Sequence, residues 1–474
     1  MKDFDQYDAL GLADLVRRQE VQPIELVDAV IDRIEKVNPR LNCVVIKEYD
    51  RARKLAQGPL PDGPFTGVPF LMKDLILFYQ GVKTTNACRF FKDFVAPDDS
   101  FVVQRFKQAG FILVGKTNAP EFGFNVTTEP VLYGPTRNPW NTDRSPGGSS
   151  GGSGAAVAAR IVPLADASDG GGSIRIPASR NGLFGLKPSR GRVTLGPHYG
   201  DFWYGQAIMN CLALTVRDAA AYLDVVGRPL PGDAYQPAKT VGSFLETVGQ
   251  DPGRLKIGYT TASPVGAAVH PECLEAVNKA VQLCRDLGHE VMEMKFTFDL
   301  NPVMEVFLRI ASVLENMTLQ AAEMLVGRKP TEQDFEKITW ALSQHAKDCT
   351  GVQHAMDIEA MRHFSRQIAG DCAPYDVVVT PTMPDPPPPL GYHDQNNLEV
   401  EEFIARLNSA VGFTLPFNVS GDPAVSLPLH WTKDGLPVGV QFIARYARED
   451  ILFKLAGQLE KAQPWIQRQP PVCA

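Results

Sequence analysis

The sequence predicts an α/β protein: one large domain in which a central twisted, mixed β-sheet is covered by α-helices. Two observations carry that expectation. Short apolar runs of strand length, rich in Val and Ile and bounded by Gly, Pro or Asn, alternate with stretches whose apolar residues recur every three or four positions. Near the end of the chain, "AVSLPLHWTKDGLPVGVQFIA" reads as two strands joined by the turn "TKDG", which gives the sheet an antiparallel part.

From Ala9 to Val37 the spacing of Leu10, Leu12, Leu15, Val16, Leu26, Val27, Val30 and Ile34 predicts two amphipathic helices within residues 1–40, with Pro23 suited to the first turn of the second. Strand-like runs follow at "NCVVIK", "VPFLMKD", "FILVGKTN", "LKIGYTT" and "YDVVVTPT". Helical patterns occupy "DDSFVVQRFKQAG", "PECLEAVNKAVQLCRDLG" and "EDILFKLAGQLEKAQ". A helical insertion is expected over 300–370, where Phe307, Ile310 and Trp340 would vary specificity. "DPGRLK" and the proline-rich "PTMPDPPPPLGYHDQ" are the linker-like stretches, the second equally a loop beside a pocket or a boundary. One continuous domain over 1–474 is the preferred reading.

A chain of 474 residues with 44% hydrophobic content can build a large core. Its formal charge of −7, without a run of Lys or Arg, argues against a nucleic-acid or membrane partner and for a small-molecule substrate, the protein being a monomer or homodimer. The eight cysteines form no Cys-x-x-Cys pair and no ligand cadence with the eight histidines, so no metal and no cofactor are expected. Acidic residues near the N-terminus where a signal peptide is basic, and no apolar stretch of about 18 residues, place the expectation in the cytoplasm.

The chemistry concentrates in residues 145–187, "SPGGSSGGSGAAVAARIVPLADASDGGGSIRIPASRNGLFGLK". Neither nucleotide fingerprint is met: no G-x-x-x-x-G-K-[ST] occurs, and from Gly152 the G-x-G-x-x spacing ends in Val157. A hydrolytic reading fits better. Gly170, Gly171 and Gly172 can turn their N–H groups, with that of Ser173, towards an oxyanion, and Ser173 then stands as nucleophile. A serine needs a base, and no histidine sits in a motif-like setting. Lysine remains, provided burial lowers its pKa from about 10.4 by roughly three pH units. Lys73 in "GVPFLMKD" and Lys116 in "FILVGKTN" both end apolar strands, and elementary physics leaves them equal.

The segment "GGSSGGSGAAVAA…ASDGGGSIRIPAS…GLKPSRGRV" resembles the amidase signature family of serine hydrolases, supported by "GVPFLMKD", "GKTNAPEFG", "NPWN" and "GLPVGVQFIA". "VTTEPVLYGPTRNPWN" and "FNVSGDPAVSLP" look most like the branch containing 6-aminohexanoate cyclic dimer hydrolase. The resemblance implies the amidase signature fold, a catalytic core over 65–215, and a Ser–cis-Ser–Lys triad falling on Lys73, Ser149 and Ser173, with a cis Gly148–Ser149 peptide. It gives Lys116 a structural role, has Asp169 and Arg175 brace the glycine loop as an ion pair, and has Ser150 and Ser153 hydrogen-bond Lys73 or the turn. Ser168-Asp169-Gly170 departs from the Thr-Asp-Thr or Thr-Asp-Ile of many members. Phe122, Phe124, Asn125 and Val126 are candidates for the acyl side, and Trp203 and Tyr204 for a cap. The implied activity is hydrolysis of a small amide, lactam-like oligomer or carbamate. The alternatives are a glutamine-hydrolysing subunit of an aminoacyl-tRNA amidotransferase and a non-catalytic binding protein on the same fold.

Overall fold

The computed structural model describes residues 4–238 and 242–474. Eleven strands form one sheet: β1 (Val44–Lys47), β2 (Pro69–Lys73), β3 (Ile112–Thr117), β4 (Leu164–Asp169), β5 (Phe184–Lys187), β6 (Ile208–Ala213), β7 (Lys256–Tyr259), β8 (Glu290–Glu293), β9 (Val377–Pro381), β10 (Ala424–Trp431) and β11 (Pro437–Ala444). Their spatial order is β1-β3-β2-β4-β6-β5-β10-β11-β9-β7-β8. The sheet is mixed. β2 runs parallel to β3 and β4, and β7 to β8 and β9, while β4·β6, β5·β6, β5·β10, β10·β11, β9·β11 and β1·β3 are antiparallel.

The five apolar runs become β1, β2, β3, β7 and β9, and the terminal hairpin becomes β10 and β11. β2 and β3 are buried at every residue, as expected of parallel strands covered on both faces. The sequence patterns do not announce β4, whose "LADASD" holds small and acidic residues yet is buried throughout. Its neighbours on both sides make it a strand, overriding a weak local preference.

The two N-terminal helices are Ala9–Arg17, capped by the Asp8 side chain accepting the Gly11 N–H, and Pro23–Leu41. The second buries Leu26, Val27, Val30, Ile31, Ile34, Val37 and Leu41, one stripe at helical spacing. Helix Gly151–Ala158 is buried on all sides. A Cβ on Gly152 would lie 2.5 Å from the Asn118 N and O, so only glycine admits so close an approach to the end of β3.

Helices Asn301–Val326, Lys337–His345 and Gly351–Cys372 fill the region of the expected insertion. They pack on a second apolar cluster around Met304, Ile310, Met361 and Ile368. The proline-rich stretch is a loop laid against residues 143–145, with Ser145 donating to the Pro388 carbonyl and Leu390 to that of Asp143. It therefore braces the approach to Ser149. Among the described residues, no helix is long and apolar enough to cross a membrane.

The parallel strands β3, β2 and β4 end side by side, which brings Lys73, Thr117 and Asp169 to one edge of the sheet. Crevices outside the carboxyl ends of such strands are where α/β sheets bind ligands.

Candidate active site

Lys73 closes β2 and is completely buried. Its Nζ lies 2.6 Å from Ser149 Oγ, 2.9 Å from Ser150 Oγ and 2.9 Å from Ser168 Oγ. Ser149 follows a cis peptide from Gly148. Burial brings the Lys73 ammonium down to about 7, against the attraction of Asp166 and then Asp169. A neutral amine has two N–H donors and one lone pair. Ser150 donates its hydroxyl proton to the Ser168 carbonyl at 3.2 Å, so it accepts from Lys73. With the other N–H given to Ser168, the lone pair faces the Ser149 hydroxyl.

Lys116, one strand over, has a different environment. Its Nζ meets Asp74 Oδ1 at 3.5 Å and Thr84 Oγ1 at 2.7 Å, all three side chains completely buried. The physical tie between the two lysines is broken by their partners: hydroxyls for Lys73, a carboxylate for Lys116.

The glycine turn follows β4. Asp169 and Arg175, both fully buried, form a bidentate pair at 2.9 Å through each contact. Against the cost of burial, the Arg175 guanidinium and the Asn418 amide hold the Asp169 carboxyl well below the usual carboxylate range. Asp169 also accepts the N–H groups of Gly172 at 2.7 Å and Ile174 at 3.2 Å. This corrects one expectation: the Gly172 N–H is committed to Asp169, which leaves Gly170, Gly171 and Ser173 as donors for an oxyanion. Gly172 serves instead through its backbone, at φ +137° with a would-be Cβ 2.5 Å from Thr414 Oγ1. Thr414 in turn donates to the Gly171 carbonyl at 2.6 Å.

Ser173 is half-buried and shares one cavity with Ser149 and Ser168; its hydroxyl makes no hydrogen bond among the described residues. Phe122, Phe124, Asn125, Val126 and Trp203 line that cavity, together with Phe307 and Leu308 from the long helix 301–326. The Asn125 amide is directed at the His393 carbonyl, 2.9 Å away, and at Gln395. Its role there is to hold the wall. Among the described residues, no Asp, Glu, Lys, Arg or His lines the cavity.

Two further expectations are corrected. Tyr204 does not line this cavity; it faces a separate one, where its hydroxyl lies 2.7 Å from His354 Nε2 and is held there by that partner. Ser153 reaches neither Lys73 nor the turn. It donates to the Asp166 carbonyl at 2.7 Å and meets Thr117 Oγ1 at 2.7 Å, tying its helix to β4 and β3.

Sequence reasoning missed Ser168 as a Lys73 partner, and Asp166. The Asp166 Oδ2 accepts the Lys73 backbone N–H at 3.2 Å and its Oδ1 accepts the Tyr222 hydroxyl at 3.2 Å, while burial raises the carboxyl to about 7. The alternation of β4 puts 166 and 168 on one face, a signal available only once the strand is recognised. It also missed Thr414, Asn418 and Gln441, which hold Arg175 from far along the chain.

A model of the family described as Amidase matches residues 25–453. The chain belongs to the amidase family. This amidase is 40% identical to 6-aminohexanoate-cyclic-dimer hydrolase of Paenarthrobacter ureafaciens over 98% of its length and 96% of the relative's. The structure of 6-aminohexanoate cyclic dimer hydrolase complexed with substrate superposes with a TM-score of 0.96 at 39% identity, each chain covered in full. A bacterial aryl acylamidase of the amidase signature family follows at TM-score 0.88 and 28% identity, covering 97% of both chains. The amidase is an amide C–N bond hydrolase with the single-domain mixed-sheet fold of those structures.

Gly170, the expected departure in Ser168-Asp169-Gly170, has a packing explanation. A Cβ there would lie 2.8 Å from Trp203 Cζ3. The missing side chain is what lets the indole stand beside the glycine turn. Gly170→Ala is expected to cost about 1–3 kcal/mol by overpacking, and a Trp203→Leu change in the same protein should restore most of it. Thermal unfolding of the two single variants and the double variant checks this; additive losses would show that the residues do not crowd each other.

Proposed function

We propose that this amidase hydrolyses a small amide carrying no charge near the scissile bond, through an acyl-Ser173 intermediate. The observation that carries the reading is a buried lysine amine 2.6 Å from Ser149, which with Ser173 lines a cavity that has no charged side chain among the described residues. Neutral Lys73 takes the proton of Ser149, Ser149 takes that of Ser173, and Ser173 Oγ bonds to the amide carbon. The N–H groups of Gly170, Gly171 and Ser173 receive the developing oxyanion. Ser149 returns a proton to the amine nitrogen as the C–N bond breaks. Water, deprotonated along the same path, then cleaves the ester and releases the acid.

An uncharged, largely apolar cavity favours amides whose neighbours are alkyl or aryl, and cyclic amides, whose amine and acid ends are both neutralised. It disfavours glutamine, since the α-ammonium and α-carboxylate would be desolvated without partners. The eight cysteines, none of them in a disulfide, and the charge of −7 support a cytoplasmic enzyme without a nucleic-acid partner. Initial rates on 6-aminohexanoate cyclic dimer, hexanamide, an anilide and L-glutamine test the substrate class. A kcat/KM for at least one neutral amide on the order of 10²-fold above glutamine is expected, and a preference for glutamine would reverse the reading.

The reading fixes a pH dependence. Lys73 works as a base only when neutral, so kcat/KM should rise as pH passes through about 7 and level off above it. The Asp166 charge favours the ammonium form, so Asp166→Asn is expected to move that acid limb to lower pH. A pH–rate profile of both proteins is the check; a limb that moves upward would mean Asp166 does not act on Lys73 through its charge.

A further inference from the structure

We propose that a second cavity, on the other side of the 202–207 loop from Ser173, binds a small aliphatic carboxylate. The cavity measures about 200 Å³ and shares no lining residue with the catalytic one. Into it faces Gln206, only 2% exposed, whose Oε1 and Nε2 both lack a hydrogen-bond partner. Buried amides are almost always satisfied, so one left open at both ends is a receptor for something polar. The charges in the lining are Arg190 and Arg362, with no acid among them. Arg190 is anchored through Nε to the Gly205 carbonyl and through Nη2 to those of Asn418 and Val419, which fixes its cation at the wall. Ile310, Ile358, Met361 and Val419 supply the apolar remainder.

A ligand for this lining needs a single anionic head that accepts from guanidinium and from the Gln206 amide, and a short alkyl stem. A carboxylate of a few carbons has both, and it is the class of product that amide hydrolysis releases. The wall between the cavities is one turn: Trp203 faces the catalytic side, Tyr204 and Gln206 the other. The Gln206 carbonyl accepts from Asn418 Nδ2 at 3.0 Å, and the same nitrogen donates to Asp169 Oδ1 at 2.9 Å. A carboxylate held here therefore touches the turn that shapes the acyl wall, at the residue whose carbonyl Asn418 holds.

Isothermal titration of the full-length enzyme with hexanoate, and with 1-hexanol as a neutral counterpart that an amide hydrolase cannot cleave, tests the site. Wild type should bind hexanoate at least tenfold more tightly than 1-hexanol. Gln206→Leu and Arg362→Ala should each weaken hexanoate at least tenfold. Arg362 is a surface side chain, 64% exposed and paired only with Glu359, so its variant carries the test even if Gln206→Leu fails to fold. With Arg362→Ala, hydrolysis measured without hexanoate should stay within twofold of wild type. No hexanoate binding by wild type, equal affinity for 1-hexanol, or an unchanged Kd in Arg362→Ala would each overturn the assignment, the last by placing hexanoate in the catalytic cavity.

Discussion

Ser173→Ala is expected to lower kcat on the order of 10⁶-fold, the scale seen when a serine hydrolase loses its nucleophile outright. The variant should also lose all labelling by a fluorophosphonate probe that modifies the wild type. Stability should hardly change, because the Ser173 hydroxyl faces the cavity and makes no hydrogen bond whose loss would strand a partner. That separation gives the test its force. Equal melting temperatures with activity abolished place Ser173 in the chemistry, whereas persistent labelling of the alanine variant would mean another serine is acylated.

The second large effect concerns the two lysines. Lys73→Met is expected to reduce kcat by roughly 10²–10⁴-fold, the range for removal of a general base. Methionine is apolar and similar in length, and the relief of burying an amine offsets part of the cost of leaving the buried Ser149, Ser150 and Ser168 hydroxyls without that partner, so the melting temperature should change little. Lys116→Met should do the opposite. It leaves Asp74 a buried carboxylate without its cation, at a cost of about 3 kcal/mol or more, yet the protein that remains folded should turn over at a near-normal rate. The folded fraction, measured by circular dichroism before each assay, normalises the rates. If Lys116→Met lost kcat and Lys73→Met lost only stability, the base would be misassigned.

What the sequence made legible follows from where its signals come from. β2 and β3 are short and apolar, and a hydrophobic run is read from a few neighbouring residues. The glycine turn was legible because glycines before a serine restrict the backbone chemistry to a few uses. β4 was not, since "LADASD" is stabilised by β2 and β6 and by little of its own. With that strand hidden, Asp166 and Ser168 had no face and so no evident relation to Lys73. Tyr204 was adjacent to a true wall residue, and its partner in the second cavity, His354, lies 150 positions along the chain, where no local pattern reveals it. The choice between Lys73 and Lys116 turned on partners contributed by other elements, which no local pattern contains.

The bracing of Arg175 gives the enzyme an order of completion. Its guanidinium reaches the Thr414 carbonyl, the Asn418 amide and Gln441, which are translated some 240 to 270 positions after it. A growing chain that has emerged as far as the insertion helices already owns Lys73, Ser149 and Ser173. It does not yet own the carbonyl and amides that hold the glycine turn in shape. A polypeptide that ends before residue 414 therefore holds the three proposed reacting residues and none of these three contacts to Arg175.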